Sequence, residues 1–322
     1  MRHDQTLLSR RQFCLCCIAA TTIAASTGWL TPGETFAKAR GIVDMIRDDA
    51  VTTPITVHTL RGNISILEGS GGNIGVIAGR DGKVLIDAGI TASRPRIEAA
   101  LAGLGAMPVT HLINTHWHFD HADGNEWLAR EGAEILAHEN TRRHLSSAQR
   151  VEDWAFDFPA APTIAVPTRV FSRQESIQVN LATLHLQHHP AAHTDGDITV
   201  HVEEADIIHA GDIYWNGIYP FIDYSTGGGI DGTIAGAERI LAASTAKTII
   251  IPGHGQPVSN RRELQSYRDM LVTVRDKVAT LKAEGRSLEE IVAAAPTRPF
   301  DATWGQFVIG PAFFVKMVHE GV

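Results

Sequence analysis

The segment His116-Trp117-His118-Phe119-Asp120-His121 places three imidazoles and one carboxylate within six residues, directly after an apolar run at 109–114. These side chains are ligands for zinc and similar transition metals. Residues two positions apart do not share a helix face, so His116 and His118 cannot converge from a helix. A strand that ends in a turn can bring them together. The segment therefore predicts a metal-binding loop at the C-terminal edge of a sheet.

The bulk composition is that of a globular chain. It has 322 residues, a formal charge of −8 and 44% hydrophobic residues. This length suits one large domain or two small ones. The body of the chain contains no cluster of Lys and Arg, which argues against nucleic acid as a partner.

The first 37 residues form a distinct segment. Ser9-Arg10-Arg11-Gln12-Phe13 precedes an uncharged run at 14–30, and small residues follow at Thr35-Phe36-Ala37. This pattern resembles a bacterial twin-arginine export signal that is cleaved near Ala37 or Ala39. It predicts a signal peptide at 1–37, one domain at 38–322 and a periplasmic location.

The alternative for the same segment is an uncleaved membrane anchor. A spanning helix usually needs about 20 strongly apolar residues, and the run at 14–30 contains Thr, Ser and Gly. We therefore expect no stable membrane anchor after cleavage. Cys14, Cys16 and Cys17 all lie in this segment, so the mature chain would contain no cysteine. Its metal ligands would have to be His, Asp or Glu, and no disulfide would support the fold.

The remaining chain contains short apolar runs, separated at first by turn residues and later by helical patterns. The predicted strands are 55–60, 64–67, 74–78, 83–87, 109–114, 134–137, 182–188, 198–202, 207–210 and 247–251. The predicted helices are 91–104, 123–130, 139–147, 230–243, 262–282, 288–294 and 307–320. Residues 41–53 look like a polar lead-in, and 148–168 like an irregular loop of the kind that is often functional. This order indicates an α/β (α+β) fold in which two mixed sheets pack face to face with helices outside.

Three more candidate ligands follow predicted strands. His193 lies beyond the strand 182–188, Asp212 follows 207–210, and His254 follows 247–251. Each ligand stands near a Gly or Pro, where the backbone turns and exposes the side chain.

These residues, in this order, resemble the metallo-β-lactamase superfamily. The resemblance rests on Thr115-His116-x-His118-x-Asp120-His121 followed by a single His, Asp and His, and it covers essentially the whole mature chain. It implies an αββα sandwich of two mixed β-sheets flanked by helices, with a dinuclear metal site at one edge. Zn²⁺ suits an all-nitrogen-and-oxygen ligand set, and Fe or Mn is compatible with it.

The resemblance also implies a role for each position. The first metal would be held by His116, His118 and His193, the second by Asp120, His121 and His254, with Asp212 bridging both and with Asp87 and Thr115 supporting the ligands. Asp120 and Asp212 would be the catalytic carboxylates. A hydroxide that bridges the two metals would open a carbonyl-type bond (ester, lactone or amide) of a small molecule.

Three other functions stay open at this stage. The first is a β-lactamase. The members with a cysteine ligand are excluded, and those with Asp-His-His at the second metal usually lack a carboxylate corresponding to Asp212. The second is a thioesterase similar to glyoxalase II or a persulfide dioxygenase, although export argues against a glutathione substrate. The third is a non-catalytic metal-binding partner protein, which a complete set of seven ligands disfavours.

A substrate pocket is expected from aromatic and amide side chains in two loops and in the histidine segment. Its candidate residues are Trp117, Trp154, Phe156, Tyr214, Asn216 and Tyr219. Nothing in the sequence indicates the oligomeric state.

Overall fold

Two mixed β-sheets form the centre of the fold. The structure is a computed structural model that describes residues 41–322. The predicted export signal at 1–37, with its three cysteines and its cleavage point, lies outside the described residues.

The strands come in the following order. The first group is β1 (Thr56–Thr59), β2 (Ile64–Glu68), β3 (Ile74–Ile77), β4 (Lys83–Ile86), β5 (Val109–Ile113), β6 (Glu134–His138), β7 (Gln149–Val151), β8 (Phe156–Phe158) and β9 (Arg169–Phe171). The second group is β10 (Gln174–Val179), β11 (Ala182–His188), β12 (Ile198–Val202), β13 (Ile207–His209), β14 (Trp215–Asn216), β15 (Ile249–Ile251), β16 (His254–Gly255) and β17 (Ser259–Asn260).

The first sheet has seven strands in the order β1-β2-β3-β4-β5-β6-β9, and the second has six in the order β10-β11-β12-β13-β15-β17. Two short ribbons, β7-β8 and β14-β16, lie beside them. The helices are α1 (Ile42–Ala50), α2 (Arg94–Gly103), α3 (Phe119–Ala122), α4 (Asn125–Arg130), α5 (Glu139–Leu145), α6 (Ile230–Ala243), α7 (Arg261–Ala283), α8 (Leu288–Ala294), α9 (Asp301–Trp304) and α10 (Pro311–Gly321).

Side chains of both sheets alternate between two buried layers. Val84 and Ile86 of β4 face the core between the sheets, whereas Leu85 packs under α2 and α4. In the second sheet Ile207 faces the same central core, and its neighbour Ile208 packs under α6 and α7. Because successive residues of a strand point to opposite faces, strands buried on both faces are apolar at every position. The layers are therefore helix, sheet, sheet and helix, as predicted.

Strand direction brings the ligand-bearing loops to one edge. In the first sheet β4 and β5 are parallel, so Asp87 and the segment 114–121 both follow C-terminal strand ends. In the second sheet β11 and β12 are antiparallel, β12 and β13 are antiparallel, and β13 and β15 are parallel. The strands β11, β13 and β15 thus run in one direction, and the loops that follow them leave from the same edge.

Two predictions of local structure are wrong. Residues 41–53 are not a lead-in, because Ile42, Val43 and Ala50 are buried on one face of α1 against the core. The loop 148–168 is not fully irregular, because it contains the β7-β8 hairpin. The strands β9 and β10 were not predicted at all.

The motif region and the C-terminus also differ in detail. The ligand loop runs into the short helix α3, so Asp120 and His121 lie on a helical turn rather than in the loop itself. The last helix begins at Pro311 instead of 307, and α9 precedes it. Within residues 41–322, none of the helices combines the length and the apolar character that a membrane crossing requires.

The central core gives the first testable prediction. Leu184 of β11 is fully buried between the sheets, whereas Leu181 at the adjacent hairpin is 99% exposed. Replacing Leu184 with Ala should lower the free energy of unfolding by about 2–5 kcal/mol, because it removes buried methyl groups and leaves a cavity. Replacing Leu181 with Ala is the matched control and should change it by less than about 0.5 kcal/mol. Urea denaturation measures both, and equal values would contradict this description of the core.

Candidate metal centre

Three histidines from both sheets converge at the shared edge. His116 and His118 follow β5, and His193 follows β11. One ring nitrogen of each lies within 4.8 Å of the other two, and all three side chains are buried. The rings stand nearly perpendicular to one another, with His116 and His193 at 88° and His118 and His193 at 90°. Each ring can therefore offer one nitrogen to an ion held among the three.

Hydrogen bonds determine which nitrogen of each ring is free to bind a metal. His118 Nε2 donates to Asp223 Oδ2 at 3.0 Å, which leaves its Nδ1, 2.8 Å from His193 Nε2, to face the group. His193 Nδ1 donates to the carbonyl of Phe221 at 2.8 Å, which leaves its Nε2. A carboxylate or carbonyl behind a histidine fixes its tautomer and orientation in this way at metal sites.

His116 is oriented by a relay. The hydroxyl of Thr115 donates to Asp87 Oδ2 at 2.8 Å, so it accepts from His116 Nδ1, 3.0 Å away. The Nε2 atom of His116 is then the acceptor that faces the other two histidines.

A second group consists of Asp120, His121 and His254. His254 Nε2 lies 3.2 Å from Asp120 Oδ2 and 3.2 Å from His121 Nε2. His121 Nδ1 donates to Asp87 Oδ2 at 2.8 Å, which turns its Nε2 toward the group. These three residues offer two nitrogen ligands and one oxygen ligand.

Asp212 lies between the two groups. Its Oδ2 is 3.4 Å from His193 Nε2 and 3.3 Å from His254 Nε2, and its Oδ1 is 3.1 Å from His121 Nε2. A single carboxylate therefore contacts both histidine groups. The structure thus brings together all seven residues that the sequence selected as ligands.

Asp87 supports the first loop from the end of β4. Its carboxylate accepts the backbone N–H of Thr115 at 2.7 Å in addition to the hydroxyl of Thr115 and the ring of His121. Its own backbone has φ 68°, a left-handed conformation that is uncommon outside glycine. A buried carboxylate with three donors and an unusual backbone indicates a position where the surrounding structure compensates for local strain.

Burial and mutual charges shift the ionisation of the metal-free site. Burial lowers the pKa of His116 well below its usual value, and the neighbouring His121 lowers it further. Burial also disfavours the charged form of His254, but Asp212 and Asp120 outweigh it and raise its pKa to about 9. For Asp120, burial favours the neutral acid, yet the charges of His121 and His254 lower the pKa to about 2. Protons on the second group must therefore leave when a cation binds.

Two buried polar atoms indicate that the residues fit a cation. His116 Nε2 has no hydrogen-bond partner within residues 41–322, and Asp212 Oδ1 makes only the ion-pair contact with His121 Nε2 at 3.1 Å. An unsatisfied buried polar atom costs about 1–3 kcal/mol, and a buried carboxylate oxygen costs more. A metal ion coordinated by these atoms would remove that cost. The nitrogen and oxygen donors match zinc and other divalent transition metals.

Glycine backbone closes the site on two sides. A Cβ at Gly72, in the β2-β3 turn, would overlap the ring of His121. A Cβ at Gly253, before His254, would overlap Oδ1 of Asp212. The turn is fixed at its far end, because Asn73 donates from its backbone to Gly253 O at 2.8 Å and from its amide to Pro252 O at 2.9 Å. The two sheets are thus joined directly beside the ligands.

Three of the six expected pocket residues are buried and do not line a pocket. Tyr214 and Tyr219 are fully buried, and their hydroxyls bond to Asn216 and Asp301 respectively, so they support the loop after Asp212 and do not line a cleft. Trp117 is also buried, with its Nε1 bonded to the hydroxyl of Thr226. These positions correct the pocket expectation, because the aromatic rings pack under α7 and α10 or in the core.

The other three expected pocket residues lie in two different parts of the structure. Asn216 is nearly buried and donates to Gln256 O. Trp154 and Phe156 belong to the region of the β7-β8 hairpin, where Trp154 lies 5.0 Å from the ring of His118 and Phe156 is half-buried. This hairpin is the part of the expected pocket that lies near the ligands.

Two supporting carboxylates were missed by the sequence analysis. Asp223 bonds to His118, and its backbone N–H donates to His193 O at 2.8 Å. Asp197 accepts the backbone N–H and hydroxyl of Thr194 and so fixes the turn after His193. Burial raises the pKa of Asp197 to about 6. Asp197 could have been noticed from Asp195-Gly196-Asp197 beside a ligand, whereas Asp223 had no local signal.

The fold and the site together define a class of protein, a two-sheet sandwich with histidine- and aspartate-rich metal-ligand groups at one edge. The sequence model of one family, described as the metallo-beta-lactamase superfamily, matches residues 67–281. The chain therefore belongs to the metallo-beta-lactamase superfamily, whose members are hydrolases.

Solved structures with the same fold span much of the chain. A metallo-beta-lactamase from Pontibacter korlensis has a TM-score of 0.56 and 17% identity, over 68% of this chain and 99% of its own. DIM-1 metallo-beta-lactamase has a TM-score of 0.54 and 17% identity, over 69% and 99%. The stereoselective inverting sec-alkylsulfatase Pisa1 from Pseudomonas sp. has a TM-score of 0.61 and 16% identity, over 92% of this chain and 56% of its own. At these identities the likeness concerns the fold.

Metal binding gives a second prediction. Zinc should raise the melting temperature of the purified protein, because a ligand that binds only the folded state adds about 2.7 kcal/mol at one hundred times its Kd. Replacing His116 with Ala should abolish most of this zinc-dependent rise, measured by calorimetry. The control is His185→Ala, since His185 is exposed and pairs with Glu203 on the second sheet. An undiminished zinc response in the His116 variant would contradict the assignment.

The carboxylate behind His118 gives a third prediction. Replacing Asp223 with Asn keeps the size of the side chain but weakens its hold on the Nε2–H of His118. Affinity for zinc, measured by competition with a chromophoric chelator, should fall about 10–100-fold. Asp157→Asn is the control, because Asp157 pairs with Arg150 on the exposed side of the hairpin. Equal zinc affinity in both variants would show that Asp223 does not position the ligand.

Proposed function

We propose that this protein is an exported, dinuclear metal-dependent hydrolase that opens an ester, lactone or amide bond of a small molecule. The proposal rests on the contact geometry of Asp212. Its two oxygens lie within 3.4 Å of nitrogens from both ligand groups, as a carboxylate shared by two cations requires. Zinc is the cation that we infer for both positions, since every donor is an imidazole or a carboxylate.

The cations, when bound, would supply a water molecule of lowered pKa and positive charge beside the substrate oxygen. Asp120 is the residue that would orient this water and accept its proton. The side chain of Asp120 is 8% exposed, and its Oδ2 lies 3.6 Å from His121 Nε2 and 3.2 Å from His254 Nε2, so this oxygen faces the second group. Asp212 would hold the spacing of the two groups, and the buried histidines would exclude bulk water.

Substrate class follows from the surroundings of the ligands. Trp154 is buried 5.0 Å from the ring of His118, and Phe156 of the same hairpin is half-buried, so the hairpin offers partly exposed ring surface that suits a substrate with an apolar part. We assign the reaction to carbonyl-type bonds and keep β-lactam opening and thioester hydrolysis as outcomes of the test. The shared carboxylate at Asp212 favours the first assignment over β-lactam hydrolysis, given the resemblance described above.

We further propose a periplasmic location, with a small-molecule substrate and no nucleic-acid partner. The support is the twin-arginine pattern at Ser9-Arg10-Arg11-Gln12-Phe13 and the formal charge of −8. A fusion of residues 1–40 to a reporter that is active only after export tests the location. Replacing Arg10 and Arg11 with Lys should retain the reporter in the cytoplasm.

The test of activity is a substrate panel on zinc-loaded protein. It contains a lactone, a 4-nitrophenyl ester, a chromogenic cephalosporin, a thioester, a phosphodiester and a secondary alkyl sulfate. Turnover of the ester or lactone that a chelator abolishes supports the proposal. If only the cephalosporin or only the thioester is turned over, that compound defines the substrate class in place of esters, lactones and amides. No turnover by fully metal-loaded protein would favour a non-catalytic metal-binding role.

The carboxylates give a fourth prediction. Replacing Asp120 or Asp212 with Ala should lower turnover at least about a hundredfold, because each contacts the reacting centre or sets its geometry. Metal content must be verified in each variant by elemental analysis. Asp153→Ala is unsuitable as a control because Asp153 pairs with Lys316, so Asp157→Ala on the exposed hairpin serves instead. Near-normal activity of a metal-loaded Asp212 variant would refute its bridging role.

A further inference from the structure

Arg47 on α1 lies over three phenylalanine rings. Its guanidinium carbon is 5.2 Å from the ring centre of Phe119, 5.5 Å from that of Phe156 and 6.0 Å from that of Phe158. Arginine carries five N–H donors and no acceptor. Within residues 41–322, this guanidinium takes part in no hydrogen bond or ion pair. The cation is therefore positioned by ring faces, with its donors left available.

The rings under Arg47 adjoin the metal ligands. Phe119 stands between the ligands His118 and Asp120 in the chain, and it stacks on Phe158 at 5.7 Å. Trp154 contacts Phe119 at 6.1 Å and the ring of His118 at 5.0 Å. One continuous cluster of rings, buried except for the half-buried Phe156, thus runs from the histidines to Arg47.

The turn that covers Asp120 also contacts α1 next to Arg47. The hydroxyl of Ser70 donates to the carbonyl of Ile46 at 3.1 Å. In the same turn, a Cβ at Gly71 would lie 3.1 Å from Cβ of Asp120. Arg47, Phe156 and Gly71 are each half-buried, so they form a partly exposed rim beside the site.

The arrangement suits recognition of an anion. The guanidinium fork binds a carboxylate through two parallel hydrogen bonds, which are stronger than bonds between neutral groups. A cation–π contact alone would fix α1 to the hairpin, but it leaves the donors of the half-buried Arg47 without a hydrogen-bond acceptor among residues 41–322. A substrate that bears a carboxylate could use these donors while its apolar part covers the half-buried ring of Phe156.

We propose that Arg47 is a specificity-determining residue that binds a carboxylate on the small-molecule substrate. This inference rests on the proposed hydrolase function, because the recognised molecule is the one whose bond is opened at the ligand groups. The reacting bond and the carboxylate would lie at opposite ends of the substrate, joined by a chain or ring that packs on Phe156 and the Gly71 turn.

A kinetic experiment compares two esters of similar length. Mono(4-nitrophenyl) glutarate carries a terminal carboxylate, and 4-nitrophenyl pentanoate carries a methyl group there. In Arg47→Met, the ratio of kcat/KM for the charged ester to that for the neutral ester should fall about tenfold or more, mainly through KM. Arg47→Lys should keep part of the preference, since it retains the charge but loses the fork. The control Arg80→Met removes an exposed cation at the β3-β4 turn, at the opposite end of β4 from Asp87, and should leave the ratio unchanged.

A binding experiment separates this inference from the hydrolase proposal. Zinc-loaded wild-type protein and Arg47→Met are titrated by calorimetry with 4-phenylbutyrate and with neutral 4-phenylbutanamide. Coordination of the carboxylate by zinc would be equal in both proteins. A loss of affinity of about tenfold for phenylbutyrate alone in the variant would therefore be due to Arg47. If wild-type protein hydrolyses neither ester but shows this loss, the hydrolase proposal fails and the anion site stands.

Two results would overturn the inference. One is an unchanged preference for the charged ester and for phenylbutyrate in Arg47→Met. The other is an equal loss of kcat/KM for the two esters and of affinity for the two ligands, together with a lower melting temperature. A purely structural contact between α1 and the hairpin predicts that result.

Discussion

The carboxylate of Asp87 is the interaction on which the site depends. It accepts three hydrogen bonds, two from Thr115 and one from His121, and through the Thr115 hydroxyl it also orients His116. Ligands of both metal groups are therefore positioned by one buried side chain at the end of β4. The left-handed backbone of Asp87 is conformationally unfavourable. The parallel pairing of β4 with β5 holds this residue in place and compensates for the strain.

Much of the site could be predicted from sequence because the ligands follow strands. Apolar runs locate β5, β13 and β15. His116 is found in the histidine segment directly after β5, and Asp212 and His254 are found as polar residues beside Gly where β13 and β15 end. The direction of the strands explains why such distant residues meet. The resemblance to a known family supplied the division into two groups. Each group is close enough to hold an ion, and a third cluster of His116, His121 and Asp212 crosses the division.

Other parts of the site depend on packing that no local pattern records. Asp223 meets His118 across 105 positions of the chain, in a loop without regular periodicity. Tyr214 and Tyr219 look like pocket residues in sequence because they lie in a loop beyond Asp212, yet α7, α9 and α10 bury them. The helix α1 was overlooked because a nine-residue segment with several charges shows its apolar face only when the core beneath it is known.

The close approach of Gly72 and Gly253 to the ligands has a consequence for how the sequence can vary. Neither residue carries a functional group, yet any side chain there would occupy the volume of His121 or Asp212. In a saturation mutagenesis survey these two glycines should tolerate as few substitutions as the ligands themselves. Sequence change at the site is therefore limited by these two glycines as strictly as by the ligands. Substitutions that alter substrate specificity must lie farther from the ligands, on the β7-β8 hairpin and α1.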